Sequence, residues 1–120
     1  MGTLEKLKVL SLANNRIKIM ENLSNLERLI KLDLSKNKIE RISGLETLGK
    51  LLELYLNRNR ITKLEGLGGL ESLNILFLEG NEITEYRNTE NTRRIQFINL
   101  NGNPLNTKSK TCYFKKNRFR

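Results

Sequence analysis

Few kinds of side chain in this sequence could perform chemistry: they are carboxylates, amines, guanidinium groups and one thiol. The 120 residues include 22 Lys and Arg, 13 Asp and Glu, a single cysteine at Cys112 and no histidine. The missing histidine excludes a histidine general base, a catalytic triad and a histidine metal site. One thiol cannot form an internal disulfide or a paired-cysteine metal site, and it favours a reducing compartment. We therefore predict no enzyme, no cofactor and no metal, although composition leaves carboxylate or lysine chemistry open.

The most regularly spaced chemical groups are side-chain amides that recur every 22 residues. They occupy one column of the repeat without an insertion: Asn15, Asn37, Asn59, Asn81 and Asn103. Each amide offers two donors and an acceptor, so it can satisfy turn backbone groups that would otherwise be buried unpaired. We predict that these residues form a structural asparagine ladder inside a repeat protein.

Apolar residues follow the same 22-residue period and indicate the elements that carry the amides. Leucine occupies 23 positions, and each row places an LxL pair before its Asn, as in Leu10 and Leu12. Alternation at period two is typical of a strand with one buried face. The following segment has apolar residues at every third position, which suits 3₁₀ or extended turns better than a long α-helix. The pattern predicts an α/β solenoid with a curved parallel sheet and short 3₁₀ or extended return segments.

The rows read LxxLxLxxNxIxxIxxLxxL between residue 4 and about residue 105, and this pattern resembles the leucine-rich repeat. The 22-residue length is similar to the short intracellular subclass, which includes the regulatory subunit of protein phosphatase 1, an axonemal dynein light chain and a spliceosomal subunit. The resemblance implies a solenoid whose concave strand face holds a protein partner, as aromatic and acidic residues do in the phosphatase subunit. It does not choose among the functions of the subclass.

Strand residues beside the buried leucines should face the concave side of the sheet, because side chains alternate along a strand. Large apolar residues cluster there on neighbouring rows, with carboxylates around them. The candidate partner-binding residues are Asp33, Glu53, Tyr55, Ile75, Phe77, Glu79 and Phe97. An apolar centre with a polar rim is typical of a protein-binding hot spot. The alternative is that the aromatic residues only stack across strands for stability.

Positive charge is concentrated in two other places. The turns after the first three strands form a basic ridge of Arg16, Lys36, Lys38, Arg58 and Arg60, and residues 106–120 contain six Lys or Arg and no acid. Both could attract an anionic partner. The alternative function is therefore a basic ribonucleoprotein or nucleic-acid-associated factor, although the ridge has no stacking aromatics. A solvated, disordered terminus is the competing interpretation of residues 106–120.

The period also predicts the domain organisation. Residues 1–105 are predicted to form the solenoid, with repeats at about 7–28, 29–50, 51–72 and 73–94 and a partial repeat at 95–105. Residues 106–120 are predicted to form a basic tail, which is a truncated or degenerate cap. Row four has Thr89 and Thr92 where earlier rows have Leu, which predicts a loosened coil or a ligand-contacting insert. No apolar run is long enough for a signal peptide or a membrane span. We expect a cytoplasmic protein, with nucleus, cytoskeleton and cilium as alternatives, a protein partner, and an oligomeric state that the sequence leaves open.

Overall fold

A computed structural model describes residues 4–87 and 89–117 of the chain. It contains a 3₁₀ turn at Leu4–Lys6, five short strands and two helices. The strands, in chain order, are β1 (Val9–Ser11), β2 (Lys31–Asp33), β3 (Glu53–Tyr55), β4 (Ile75–Phe77) and β5 (Phe97–Asn99), and the helices are α1 (Glu90–Arg93) and α2 (Thr107–Asn117). The molecule is elongated, with principal extents of 47 × 27 × 19 Å.

All five strands are parallel and are hydrogen-bonded in the order β1-β2-β3-β4-β5. The register advances by one sequence period at each step, so Leu10 pairs with Leu32, Leu32 with Leu54, and Leu54 with Leu76. The middle residue of β2, β3, β4 and β5 is buried, while its two neighbours are half-buried on the other face. The predicted solenoid with a parallel sheet is therefore confirmed.

The return segments turn through i to i−3 hydrogen bonds, as the three-residue apolar spacing predicted. Leu48 N–H donates to the Leu45 carbonyl at 3.1 Å, and Leu51 N–H donates to the Leu48 carbonyl at 3.2 Å. The same pair of bonds recurs at the ends of the first and third coils, because Leu26, Leu29, Leu70 and Leu73 occupy the same columns. These leucines join the strand leucines in one continuous core.

The fourth return segment shows how its threonines are accommodated. It contains the single-turn helix α1, and Thr92 is buried with its hydroxyl donating to the Arg87 carbonyl at 3.0 Å. The same hydroxyl accepts a hydrogen bond from Thr89 N–H at 2.9 Å. A polar side chain can replace the expected leucine here because its hydroxyl satisfies buried backbone groups.

The expectation of a disordered tail is wrong for residues 107–117, which form helix α2. The Tyr113 ring is buried and meets the Tyr86 ring edge-on, with 6.3 Å between ring centroids. Its hydroxyl accepts a hydrogen bond from Leu100 N–H at 3.0 Å, and Ser109 Oγ accepts one from Tyr86 N–H at 2.8 Å. The helix therefore covers the core beside β5. Some basic and aromatic residues of the predicted tail are not described by the structure. These are Arg118, Phe119 and Arg120, together with the side chains of Phe114, Lys115 and Lys116.

Candidate functional site

The strand register gathers the predicted concave residues into two adjacent columns. Lys31, Glu53, Ile75 and Phe97 are successive partners in one column, and Asp33, Tyr55, Phe77 and Asn99 are successive partners in the other. Neighbouring strands in a sheet lie about 4.8 Å apart, so each residue lies beside its counterpart on the next coil. Glu79 follows β4 on the same face and is exposed. We call Asp33, Glu53, Tyr55, Ile75, Phe77, Glu79 and Phe97 the concave aromatic surface.

Three aromatic rings form a continuous stack along this surface. The Tyr55 and Phe77 rings are nearly parallel, with centroids 4.9 Å apart and an interplanar angle of 6°, and the Phe77 and Phe97 centroids are 5.5 Å apart at 59°. On the opposite side, the Lys31 ammonium nitrogen lies 5.1 Å from the Tyr55 centroid, within the range of a cation–π contact. The sequence predicted that the rings lie together, but Lys31 was not among the predicted site residues. Its position could have indicated it, because Lys31 precedes Glu53 by one period in the same column.

Two of the three carboxylates are held in place by neighbouring groups. The Tyr55 hydroxyl donates a 2.6 Å hydrogen bond to Glu53 Oε1. Asp33 Oδ1 accepts hydrogen bonds from Ser35 N–H at 2.9 Å and from Ser35 Oγ at 2.7 Å. A partner would therefore meet carboxylates whose orientation is already fixed, which reduces the entropy cost of binding.

The bond to Glu53 raises the pKa of Tyr55 from its ordinary value of 10.0 to about 12, with burial and the negative charges of Glu53 and Asp33 acting in the same direction. Because the pKa is higher in the folded protein, the neutral phenol contributes stability below pH 10. That contribution should be lost as the pH rises from about 10 to about 12. The Tyr55 hydroxyl is therefore a bound, neutral donor throughout the physiological range.

We predict that Glu53→Gln lowers the pKa of Tyr55 toward 10, because it removes the charged acceptor. The measurement is phenolate absorbance against pH, with Tyr55→Phe identifying the Tyr55 component. Burial also raises the pKa of Tyr86, so each curve is compared with the wild type. Glu79→Gln is the control, since Glu79 does not contribute to the Tyr55 shift. An unchanged Tyr55 component in Glu53→Gln would contradict the assigned bond.

The asparagine column forms a hydrogen-bonded ladder between coils. The Asn59 amide nitrogen donates to the Leu56 carbonyl of its own coil and the Leu34 carbonyl of the preceding coil, each at 3.0 Å, and its oxygen accepts from Ile39 N–H. Equivalent bonds are made by Asn37, Asn81 and Asn103. Asn15 is exposed, and among the described residues it donates to carbonyls of its own coil. The ladder fixes the turns that end each strand.

The basic ridge of Arg16, Lys36, Lys38, Arg58 and Arg60 follows the turns after β1, β2 and β3. Lys36 and Arg58 adopt positive φ angles of 57° and 58°, while the equivalent positions in the next two coils are Gly80 and Gly102. In the described part of the chain, the ion pairs join Arg41 to Glu65 and Arg87 to Glu85, so none involves the ridge. Sequence reasoning did not foresee these left-handed residues, although the glycines of their column could have indicated them.

No helix in the described ranges, residues 4–87 and 89–117, is long and apolar enough to cross a membrane. Within the same ranges, no three side chains of the metal-binding types Cys, Asp and Glu converge on one point.

Comparison with known proteins identifies relatives of this architecture. A family model described as leucine-rich repeats (two copies) matches residues 5–47 and 49–88. The Drosophila melanogaster SNF/U2A' complex contains a similar chain, with 27% identity and a TM-score of 0.74 over 92% of this chain and 68% of that one. Internalin C2 of Listeria monocytogenes is 28% identical, with a TM-score of 0.73 over 81% of this chain and 43% of its own.

A leucine-rich repeat protein of Leptospira interrogans has a TM-score of 0.78 over 94% of this chain and 36% of its own; at 23% identity it supports the fold alone. The chain thus spans less than half the length of the bacterial proteins. No curated protein sequence matches it. The comparisons do not single out the phosphatase subunit or the dynein light chain, so that finer resemblance stays a prediction. The family model and the repeat geometry agree: this chain belongs to the leucine-rich repeat family.

Proposed function

We propose that the chain is a non-catalytic interaction module that binds a protein partner on its concave aromatic surface, as a scaffold or a regulatory subunit in the cytoplasm. Leucine-rich repeat proteins are in general non-catalytic modules of protein interaction. The SNF/U2A' structure, to which the chain is similar over most of its length, is a protein complex. Both findings support a protein partner rather than a substrate.

The observation that carries the proposal is the half-buried stack of Tyr55, Phe77 and Phe97 on the solvent side of the sheet. These rings lie on the face opposite the leucine core and are half-buried, so a partner can reach them. Large rings concentrate binding energy in interfaces because they bury much area at little entropy cost. Concave sheets of solenoids supply extended binding surfaces for this purpose.

The test is affinity capture from eukaryotic cytosol with the wild-type chain and the Tyr55→Ala/Phe77→Ala variant. Circular dichroism first establishes that both are folded, and mass spectrometry identifies the captured proteins. We expect one or more proteins on the wild type alone, since losing a buried anchor weakens binding by about 2 kcal/mol or more. The Arg58→Ala/Arg60→Ala variant is the matched control on the same coil and should capture the same proteins.

A second candidate function, binding to RNA within a ribonucleoprotein, is favoured by one observation. The five cations of the basic ridge form no ion pair with the described residues, and they lie on successive coils about 4.8 Å apart. Phosphate groups would relieve the repulsion between them. Under this candidate, the proteins captured by both baits would disappear after nuclease treatment, and binding would weaken steeply with salt.

A further inference from the structure

We infer that the partner's docking segment is cationic: a stretch of chain with a large apolar side chain flanked by Lys or Arg. The inference rests on the proposed function and specifies the chemistry of its partner. The whole chain has a net charge of +9, but the strand positions of the concave face and the residues just after them contain one lysine, Lys31, against the carboxylates of Asp33, Glu53 and Glu79. The proposed binding surface is thus negative in a basic protein. Such a reversal favours a positively charged partner through electrostatic complementarity.

The carboxylates keep hydrogen-bonding capacity for this partner. Glu53 and Asp33 each have one oxygen held by Tyr55 or Ser35, and their second oxygens accept no hydrogen bond from the described residues. Glu79 is exposed and forms no ion pair with the described part of the chain. A carboxylate can accept several hydrogen bonds, including a paired contact from one guanidinium group.

Lys31 shows within the chain itself how such a cation is received. Its ammonium group lies over the Tyr55 ring, 5.1 Å from the centroid, so the chain already places one cation against an aromatic face at this end of the concave aromatic surface. One coil further on, the Phe77 ring already contacts the rings of Tyr55 and Phe97, and the exposed Glu79 forms no ion pair with the described residues. A partner cation would supply the missing charge at this end of the stack.

The dimensions of the surface match a short peptide segment. From β2 to β5 the two columns cross three strand spacings, or about 14 Å. Ten residues of an α-helix or four to five residues of an extended chain span the same distance. Ile75 and Phe97 provide apolar area beside the carboxylates, so the segment needs one apolar anchor with a cation on either side.

The experiment is a selection of random 15-residue peptides displayed on phage against the immobilised full chain. Sequencing compares the wild type with three folded variants: Tyr55→Ala/Phe77→Ala, Asp33→Asn/Glu79→Gln and the control Glu82→Gln, an exposed carboxylate outside the concave face. We expect the wild type to enrich peptides that carry Lys or Arg near a large apolar residue. The Tyr55→Ala/Phe77→Ala variant should deplete these peptides about 30-fold, which is the fold-change expected for a lost anchor. Each neutralised concave carboxylate should weaken a selected peptide about two- to five-fold, and Glu82→Gln should not.

The possible failures are distinguishable. Peptides that require Tyr55 and Phe77 but are neutral or acidic, or that bind Asp33→Asn/Glu79→Gln as tightly as the wild type, would overturn the cationic partner and leave the proposed function intact. Peptides that bind equally well to the aromatic variant, or no enriched peptides at all, would overturn both. Cationic peptides are repelled by the remainder of this basic chain, so their enrichment cannot arise from overall charge.

Discussion

Asn59→Leu is expected to lower the free energy of unfolding by about 3 kcal/mol. The substitution keeps the branching and the number of side-chain heavy atoms but leaves the Ile39 N–H buried without an acceptor, since Asn59 Oδ1 accepts it at 3.0 Å. A stranded buried donor costs about 1–3 kcal/mol, and each of the lost bonds to the Leu34 and Leu56 carbonyls contributes about 1 kcal/mol more. Those carbonyls keep one partner each, from Asn37 and Asn81, so the loss is bounded. Denaturant unfolding followed by circular dichroism measures it.

Asn15→Leu is the matched control, because it changes the same column at an exposed position. Asn15 donates to the Leu12 and Ala13 carbonyls of its own coil, and no described coil supplies an N–H to its oxygen. We expect a loss of about 1 kcal/mol or less. Equal losses in the two variants would show that the asparagines act locally in their turns and do not join the coils.

Gly66→Ala is expected to cost about 3 kcal/mol or more and to disturb the stacking of the second and third coils. A Cβ at this position would lie 2.2 Å from the Ile42 carbonyl oxygen and 2.9 Å from its carbon. Gly66 also has a φ of 72°, which costs an L-residue about 1–2 kcal/mol. Relieving the overlap requires the backbones of two coils to separate, which adds about 1–3 kcal/mol. Thermal and denaturant unfolding of the purified variant test this prediction.

Gly49→Ala separates this clash from the general effect of adding a methyl group. No atom lies within 4 Å of a Cβ built at Gly49, and its φ is not positive. Alanine there should be neutral or stabilise slightly, because it restricts the unfolded chain. If Gly66→Ala were as stable as Gly49→Ala, the close approach of the coils at residue 66 would be wrong.

The fold was predictable because every coil repeats the same interactions. An unbroken period of 22 residues fixes the register, since Leu32, Leu54 and Leu76 can fill one core only if their strands pair in parallel at equivalent positions. The apolar spacing of the return segments likewise determines their i to i−3 turns. No long-range information beyond the repeat is required for these elements.

Elements that depart from the repeat pattern could not be predicted in the same way. Helix α2 depends on particular contacts: Tyr113 reaches Leu100 and Tyr86, and Ser109 accepts a bond from Tyr86. Its strongly basic sequence suggested a solvated tail because charge pattern does not reveal a single buried tyrosine. α1 depends equally on the Thr92 hydroxyl and its two backbone partners.

The concave aromatic surface was predictable in composition but not in detail. Alternation along the strands and the 22-residue register place Tyr55, Phe77 and Phe97 on neighbouring strands. The side-chain geometry is a tertiary result: the bond from Tyr55 to Glu53 and the position of Lys31 over the Tyr55 ring depend on rotamers that spacing does not specify. The bond to Glu53 is the largest cause of the raised pKa of Tyr55, and it fixes the orientation of Glu53.

The central claim, that a protein binds the concave face, is tested most directly by site-specific photocrosslinking in eukaryotic cytosol. A benzophenone amino acid replaces Asn57, which follows β3 on the concave face, or Arg60, three residues later on the basic ridge. We predict a discrete protein adduct from the probe at position 57 that is lost in the Tyr55→Ala/Phe77→Ala background, and none from the probe at position 60. Adducts from position 60 alone would contradict the account, and their loss after nuclease treatment would assign binding to the ridge.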